Sequence, residues 1–510
     1  MTTPKFSRRE FMKGCCATAA VAGAPTMFYS SEANAANEYD TLVHVFLRGG
    51  IDGLNLVVPT TGNDRVYYEA ARPNVRINAT GDFSALPLVP QGGGSVTHGL
   101  HPSAVGLHQL WDERKLAIVH CCGLKTVVTR SHFDAQMYYD LGTPGQLGGG
   151  SGWLARAWET QPGITGDVDI PLMAVASRAP DNVRGSLSAI SVGTPTDFSN
   201  NIGPSQWRQS GGGRPAALIG VNELLTSYVD GMSSIESDQR RAETSMRRIR
   251  ERAFTSTLPA GWPTSTFARR MWTIAQSIRF NVGLRYTTLD LGGWDTHENQ
   301  GTAGTGYHYY QNKIAELSQA LTAFYNELAT GGEIGRVTVV VQSEFGRRVR
   351  SNGSAGTDHG YGNPLLVLGG PVNGGRFYGP WSGLDPTVLQ PYFGDLAILT
   401  DYRQVFTEIL MRRMRNNRIG AIFPGYGGHT PLGIVQGTDM TPQYQPWAVD
   451  AAVEPAIARL PEHRQPAFGE SLQAPARPAS TDGGLRGGLR AANRRLLDAK
   501  LEAFRRLGGG

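Results

Sequence analysis

Arg336 to Gly369 reads RVTVVVQSEFGRRVRSNGSAGTDHGYGNPLLVLG. Val337 to Val341 is a short apolar, β-branched run that stops on Gln342, Ser343, Glu344, Phe345 and Gly346. Such a run, bounded by polar residues and glycine, predicts a buried parallel strand. Its carboxyl end carries Ser343 and Glu344, and in open α/β sheets ligands bind beyond that end of the strands. A Gly- and Ser-rich loop with Asp358 and His359 follows, and Pro364 to Leu368 predicts a second buried strand. One strand–loop–strand unit therefore gathers Glu344, Asp358 and His359 at one edge of a sheet.

The rest of the chain repeats the pattern. Thr41 to Leu47 predicts a strand ending in Gly49, Gly50 and Asp52, and Lys115 to Val119 predicts another. Thr129-Arg130-Ser131-His132 opens a predicted helix, and Arg285 to Leu291 predicts a strand ending in Gly292-Gly293-Trp294-Asp295-Thr296-His297. Weaker strand patterns lie at 170–176 and 187–192. Apolar residues at helical spacing predict helices over 102–113, 310–328 and 401–414, the last capped by Thr400 or Asp401. The region 216–254 reads as a helical elaboration. The fold class expected from this alternation is three-layer α/β with a mostly parallel central sheet and the polar groups on one edge.

Composition narrows the function. Among 510 residues, 40% are hydrophobic and 18% charged, as in an ordinary globular protein, and a net charge of +5 without a basic run gives no footing for nucleic acid. Residues 1–35 are expected to be a twin-arginine export signal: Ser7-Arg8-Arg9-Glu10-Phe11-Met12-Lys13 precedes an apolar run and a small-residue site, Ala33-Asn34-Ala35. That run is too short and too rich in Gly and Ala for a stable membrane span. The expected partner is the twin-arginine export machinery, and the expected location the periplasm or the exterior. Cys15 and Cys16 lie in the signal, which leaves the adjacent Cys121 and Cys122 as small buried strand-end residues rather than a disulfide framework. Residues 36–440 read as one α/β domain and 441–510 as a Pro/Ala/Gly/Arg-rich tail.

Four strand ends thus bear Asp52, Ser131 with His132, Asp295 with His297, and Glu344 near Asp358-His359. Carboxylate oxygens and imidazole nitrogens suit a divalent metal, one or two ions, of which Zn²⁺, Mn²⁺, Mg²⁺ and Ca²⁺ are all compatible with a mixed set. Each residue also has a plain structural role open to it: a turn for Asp52, a cap for Ser131 or Asp295, a partner for Arg347 or Arg348 in Glu344. His44, His98, His101 and His108 sit in a strand or around a helix start and read as structural.

The ordered motifs LRGGIDGLNLVVP, GLHPSAVGLHQLW, TRSHFDAQMYYDLGTP, GWLAR, GGWDTH, SEFGRR, GTDHGYGNPLLVLGGPVNGG, DLAILTDYRQV and IFPG resemble an exported domain-of-unknown-function family, number fifteen-oh-one. More distantly the chain resembles the alkaline phosphatase and sulfatase-like superfamily. That resemblance implies an alkaline-phosphatase-like sheet with metal at the strand ends and a nucleophile at a helix start. It implies Asp52, Asp295, His297, Glu344 and His359 as metal ligands, with Asp358 supporting a ligating histidine from behind. Counting back from Gly142 places the nucleophile at His132, with Ser131 one residue away and preferred, and Arg130 holding the substrate's anionic oxygens. The chain departs from the superfamily in its close Asp295-Thr296-His297 spacing and in Glu344-Phe345 where Asp-His is usual, so one metal or a changed second site fits as well as two. The implied activity is metal-dependent hydrolysis or transfer of phosphate or sulfate esters; the alternative is an exported binding or assembly protein on the same fold.

Overall fold

The computed structural model describes residues 39–446 apart from 148–149, 164–167, 187, 194–200, 203–204, 207–251, 253 and 391–393. The expected export signal, nearly all of the expected 216–254 elaboration and the expected tail beyond 446 lie outside the described residues.

The strands in chain order are β1 Thr41–Leu47, β2 Val57–Pro59, β3 Leu86–Pro87, β4 His98–Leu100, β5 Leu116–Gly123, β6 Leu172–Ala174 and β7 Ala189–Ser191. They continue with β8 Asn201–Ile202, β9 Ser205–Gln206, β10 Tyr286–Leu291, β11 Val337–Ser343, β12 Arg347–Ser351, β13 Thr357–His359, β14 Asn363–Gly369, β15 Arg376–Tyr378 and β16 Thr400–Asp401. The helices are α1 Gly53–Leu56, α2 Gly62–Ala71, α3 Val105–Asp112, α4 His132–Leu141 and α5 Trp153–Glu159, then α6 Thr266–Arg279, α7 Tyr309–Gly331, α8 Tyr402–Arg412 and α9 Ile419–Ile422.

The central sheet runs β15-β5-β14-β11-β1-β10-β6-β7, with β16 also on β5. Every pairing is parallel except the two made by β14, which runs against β11 and β5. The mostly parallel sheet expected from the apolar runs is therefore present, and among the described residues Pro364 to Leu368 lies in its one reversed strand. Alternation along β1 sorts the two faces: Val43, Val45 and Leu47 join a core with residues of α3, α6 and α7, while Leu42 and Phe46 join a second core with residues of α4, α5, α8 and α9. Helices on both faces of one sheet give three layers.

Local sequence explains the elements. α7 buries Ile314, Leu317, Leu321, Phe324 and Leu328 completely, each worth about 1.5–3 kcal/mol of apolar transfer, and Gly332 ends it in the left-handed region at φ +87°. α8 begins on Asp401, whose carboxylate accepts from the Arg403 amide at 2.9 Å. α6, capped by the Ser265 hydroxyl, is a helix that the sequence reading does not anticipate. Cys121 and Cys122 are buried and free near the end of β5, as expected. Among the described residues no helix is long and apolar enough to cross a membrane.

Register positions the site. Leu47 pairs with Leu291 on one side and Ser343 on the other, so the segments after β1, β10 and β11 leave the sheet side by side. β5 points the same way, and its following segment leads to the start of α4. β14 enters the sheet at this same edge, behind the β12–β13 hairpin.

Candidate metal centre

The turn after β1 is shaped by a close approach. Gly49 has φ +122°, and a Cβ there would lie 2.5 Å from the Asp295 amide nitrogen and 2.9 Å from the Trp294 backbone, so only glycine lets the β1 and β10 turns touch. The Gly49 amide in turn donates to Glu344 Oε1 at 2.7 Å.

Glu344 is buried and fully occupied. Its Oε1 also receives His132 Nδ1 at 2.8 Å and Gln136 Nε2 at 2.8 Å, while Oε2 receives the Ser343 hydroxyl at 2.8 Å. His132 and Gln136 are one helical turn apart at the start of α4, so a single carboxylate fixes that end of the helix over the sheet. Burial would raise the Glu344 carboxyl, but these donors hold it below the usual range.

Three imidazoles converge from different elements. His132 Nδ1 faces the Glu344 carboxylate, His297 Nδ1 faces Asp358 Oδ1 at 3.1 Å, and His359 Nδ1 faces the Arg130 carbonyl at 2.9 Å. All three partners only accept, so each Nδ1 carries the proton and, in the neutral ring, each Nε2 presents a lone pair. Those Nε2 atoms lie 3.4, 3.1 and 3.0 Å from one atom, Asp295 Oδ1, for His132, His297 and His359 respectively. His297 Nε2 and His359 Nε2 are 2.9 Å apart. Acceptors crowded this way need a shared proton or a cation between them. Phe345 packs against the rings of His132 and His359 from the core side, with centroids 4.8 Å away in both cases.

Charge follows the same geometry. Burial would raise the Asp295 carboxyl, but hydrogen bonds from Arg347 and His359 and the charge of Arg347 hold it well below the carboxylate range. Burial works against a charged His132, yet Glu344 and Asp295 outweigh it and raise that ring above the ordinary histidine value. His359 moves the other way, lowered by burial against the pull of Asp295. Asp358 is lowered first by a hydrogen bond from Asn352 and also by His297.

The donor set tests a metal. The ligand atoms of His132, Asp295 and His359 lie within 4.8 Å of one another, and His297 reaches the same carboxylate oxygen. A histidine whose other nitrogen donates to a carboxylate or carbonyl is the usual arrangement behind a metal ligand. These residues fit a divalent cation.

The sequence-predicted residues divide accordingly. The structure brings Asp295, His297 and His359 together, with Asp358 against His297 Nδ1. His132, expected as a possible nucleophile, joins the ligand-type cluster. Glu344, expected as a ligand, instead spends its oxygens on four donors and orients His132. Asp52, also expected as a ligand, is drawn away: its Oδ2 takes Arg72 at 2.6 Å and Gln300 at 2.6 Å in a fully buried pair. Gln300 Oε1 takes the hydroxyls of Thr296 and Thr357 at 2.8 Å each, so Asp52 supports from below the segments that carry Asp295 and His359. Ser131 is the N-cap of α4, its Oγ accepting from the Asp134 amide at 3.3 Å. Arg130 lays its guanidinium over Tyr361, 4.2 Å from the ring centroid, and pairs with the buried Asp395. Gln136 is a site residue that the sequence reading does not single out, and Arg347, expected there as a partner for Glu344, pairs with Asp295 instead. The signal for Gln136 was its position one turn after His132.

Residues 140–392 match a family described as protein of unknown function (DUF1501), the family read from the motifs. The match includes Asp295, His297, Glu344, Asp358 and His359; Asp52 and the Arg130–His132 stretch precede it. No curated protein matches the chain. Among solved structures, the crystal structure of the PsFucS1 sulfatase from Pseudoalteromonas sp. is similar to it at 10% identity over 79% of this chain and 73% of that one, with a TM-score of 0.25.

Proposed function

We propose that this chain, carrying the DUF1501 domain over residues 140–392, is an exported metal-dependent hydrolase or transferase acting on phosphate or sulfate esters. The observation that supports a metal is the convergence of three Nδ1-protonated imidazoles on Asp295 Oδ1. His132, His297, His359 and Asp295 would hold one ion, and a set richer in imidazole than in oxygen favours a Zn²⁺-like cation over Mg²⁺ or Ca²⁺. When bound, such an ion neutralises ester oxygens and lowers the pKa of an attacking hydroxyl. Glu344, Asp358 and the Arg130 carbonyl keep the three rings turned inward. In this reading the Arg130 guanidinium, stacked on Tyr361 and paired with Asp395, binds the anionic ester oxygens. The ester class rests on the superfamily resemblance of the motifs.

Chelator-treated protein is expected to hydrolyse none of a panel of chromogenic phosphate and sulfate esters, and one equivalent of Zn²⁺ or Mn²⁺ to restore turnover. His359→Ala should lower metal affinity at least a hundredfold, since even residues behind a ligand are worth 10–100-fold. Ser131→Ala should cost about 1 kcal/mol of stability, the value of a cap, and leave kcat within a few-fold; a loss of orders of magnitude in kcat would make its hydroxyl the nucleophile. Failure to hold stoichiometric Zn²⁺, Mn²⁺, Mg²⁺ or Ca²⁺ would remove the metal reading. Metal without any ester turnover would favour the binding or assembly protein.

Export is part of the proposal. Replacing Arg8 and Arg9 by Lys should leave the full-length precursor in the cytoplasm, visible by fractionation and immunoblot. Processed protein outside the cytoplasm in that variant would count against the twin-arginine route.

A further inference from the structure

We infer that Arg347 is the positioning residue of this centre, holding Asp295 so that its carboxylate offers a single oxygen to a divalent cation at His132, His297 and His359; the inference rests on the metal reading above. The Asp295 side chain is 50% exposed, so packing does not set its direction. The Arg347 side chain is fully buried and does. Its Nε donates to the Gly50 carbonyl at 2.6 Å, Nη1 to the Thr357 carbonyl at 2.7 Å, and Nη2 to the Trp294 carbonyl at 3.0 Å and to the Gly49 carbonyl. Nη2 also reaches Asp295 Oδ1 at 2.7 Å. One guanidinium thus ties together the turns after β1 and β10 and the strand β13, the segments that present Asp295, His297 and His359.

The carbonyls are neutral, and a buried cation needs a countercharge. Asp295 is that countercharge, so the guanidinium both anchors the loops and aims the carboxylate. With one lone pair of Oδ1 committed to Arg347, Asp295 is disfavoured as a two-oxygen chelator. Lysine cannot reproduce this, because a single ammonium lacks the planar fork that addresses five acceptors in fixed directions.

Titration with Co²⁺, followed by its visible absorption, tests the idea on the purified full chain. Wild type is expected to bind one Co²⁺, and Arg347→Lys to bind it 10–100-fold more weakly with shifted bands. In an Asp295→Asn background, Arg347→Lys should add a much smaller loss of Co²⁺ affinity than in wild type, the part that comes from the loops it anchors. An unchanged affinity in Arg347→Lys, or an equal further loss in the Asp295→Asn background, would overturn the positioning role while leaving the metal reading intact. Wild type that takes up no Co²⁺ would overturn both. Should the lysine variant not fold, a crystal structure of Co²⁺-loaded wild type decides: Asp295 on the ion through one oxygen with Arg347 still bonded to it supports the role, and two-oxygen chelation or a detached Arg347 overturns it.

Discussion

Arg72→Met is expected to destabilise the protein by about 3–5 kcal/mol, the cost of leaving a buried carboxylate without its partner. Arg72 and Asp52 are both fully buried, 2.6 Å apart. Arg72 also donates to the Asn55 side chain at 2.9 Å and to the carbonyls of Val349 and Arg348 at 2.8 and 2.9 Å, joining the end of α2 to β12. Methionine fills the space but supplies no N–H, so four acceptors lose a donor and one of them is charged. Asp52→Asn should also destabilise, because it leaves the buried Arg72 guanidinium without its countercharge, and it should leave the metal content of the folded protein unchanged. Guanidinium unfolding of the three proteins with metal analysis checks this. A loss under 1 kcal/mol in Arg72→Met, or a metal-free Asp52→Asn, would contradict the assignment of Asp52 to the framework.

The second large effect is acid unfolding. Burial pushes His44, His101 and His120 down to about 3 and His98 to about 4. His44 is enclosed in β1, with Gln342 donating to its Nε2 at 2.9 Å and Thr288 at 3.3 Å from Nδ1, and nearby Arg48 lowers it further. The unfolded chain takes up these protons near pH 6.5. Between that value and about 4 the unfolded state therefore binds more protons, and stability falls as pH falls. Asp140, pushed up to about 7 by burial against the pull of Arg48, works in the opposite sense, as does the raised His132. The four strongly lowered histidines outweigh Asp140, while His359 and His429, lowered, and Asp40 and Asp395, raised, oppose one another. The net near pH 5 is roughly two to three protons, or about 3–4 kcal/mol per pH unit, against a total stability on the order of 5–15 kcal/mol. The guanidinium midpoint is expected to hold from pH 8 to 7 and to collapse between pH 6 and 5. A midpoint unchanged from pH 7 to 5 would show that these rings are protonated in the fold.

How much of this was legible beforehand follows from what each feature depends on. β1, β10, β11 and β14 were readable because a buried strand must be a short apolar run, and because polar residues stop it where it leaves the sheet. The helix of residues 309–331 was readable from its spacing. The hairpin β12–β13 was not, since it pairs only Arg347 with His359 and Ser351 with Thr357, polar residues with no alternation to mark them.

For the site, the sequence alone determined that Asp295, His297, Asp358 and His359 share one edge, as the strand ends dictate. Only tertiary structure decided the division of labour among the acids and histidines. Whether Glu344 ligates or orients depends on α4 arriving overhead with His132 and Gln136, 212 and 208 residues away in sequence. Asp52 leaves the centre because Arg72, 20 residues on, folds back beneath it. A carboxylate's role is set by the charge and donors that surround it, and those come from segments whose meeting no local pattern records.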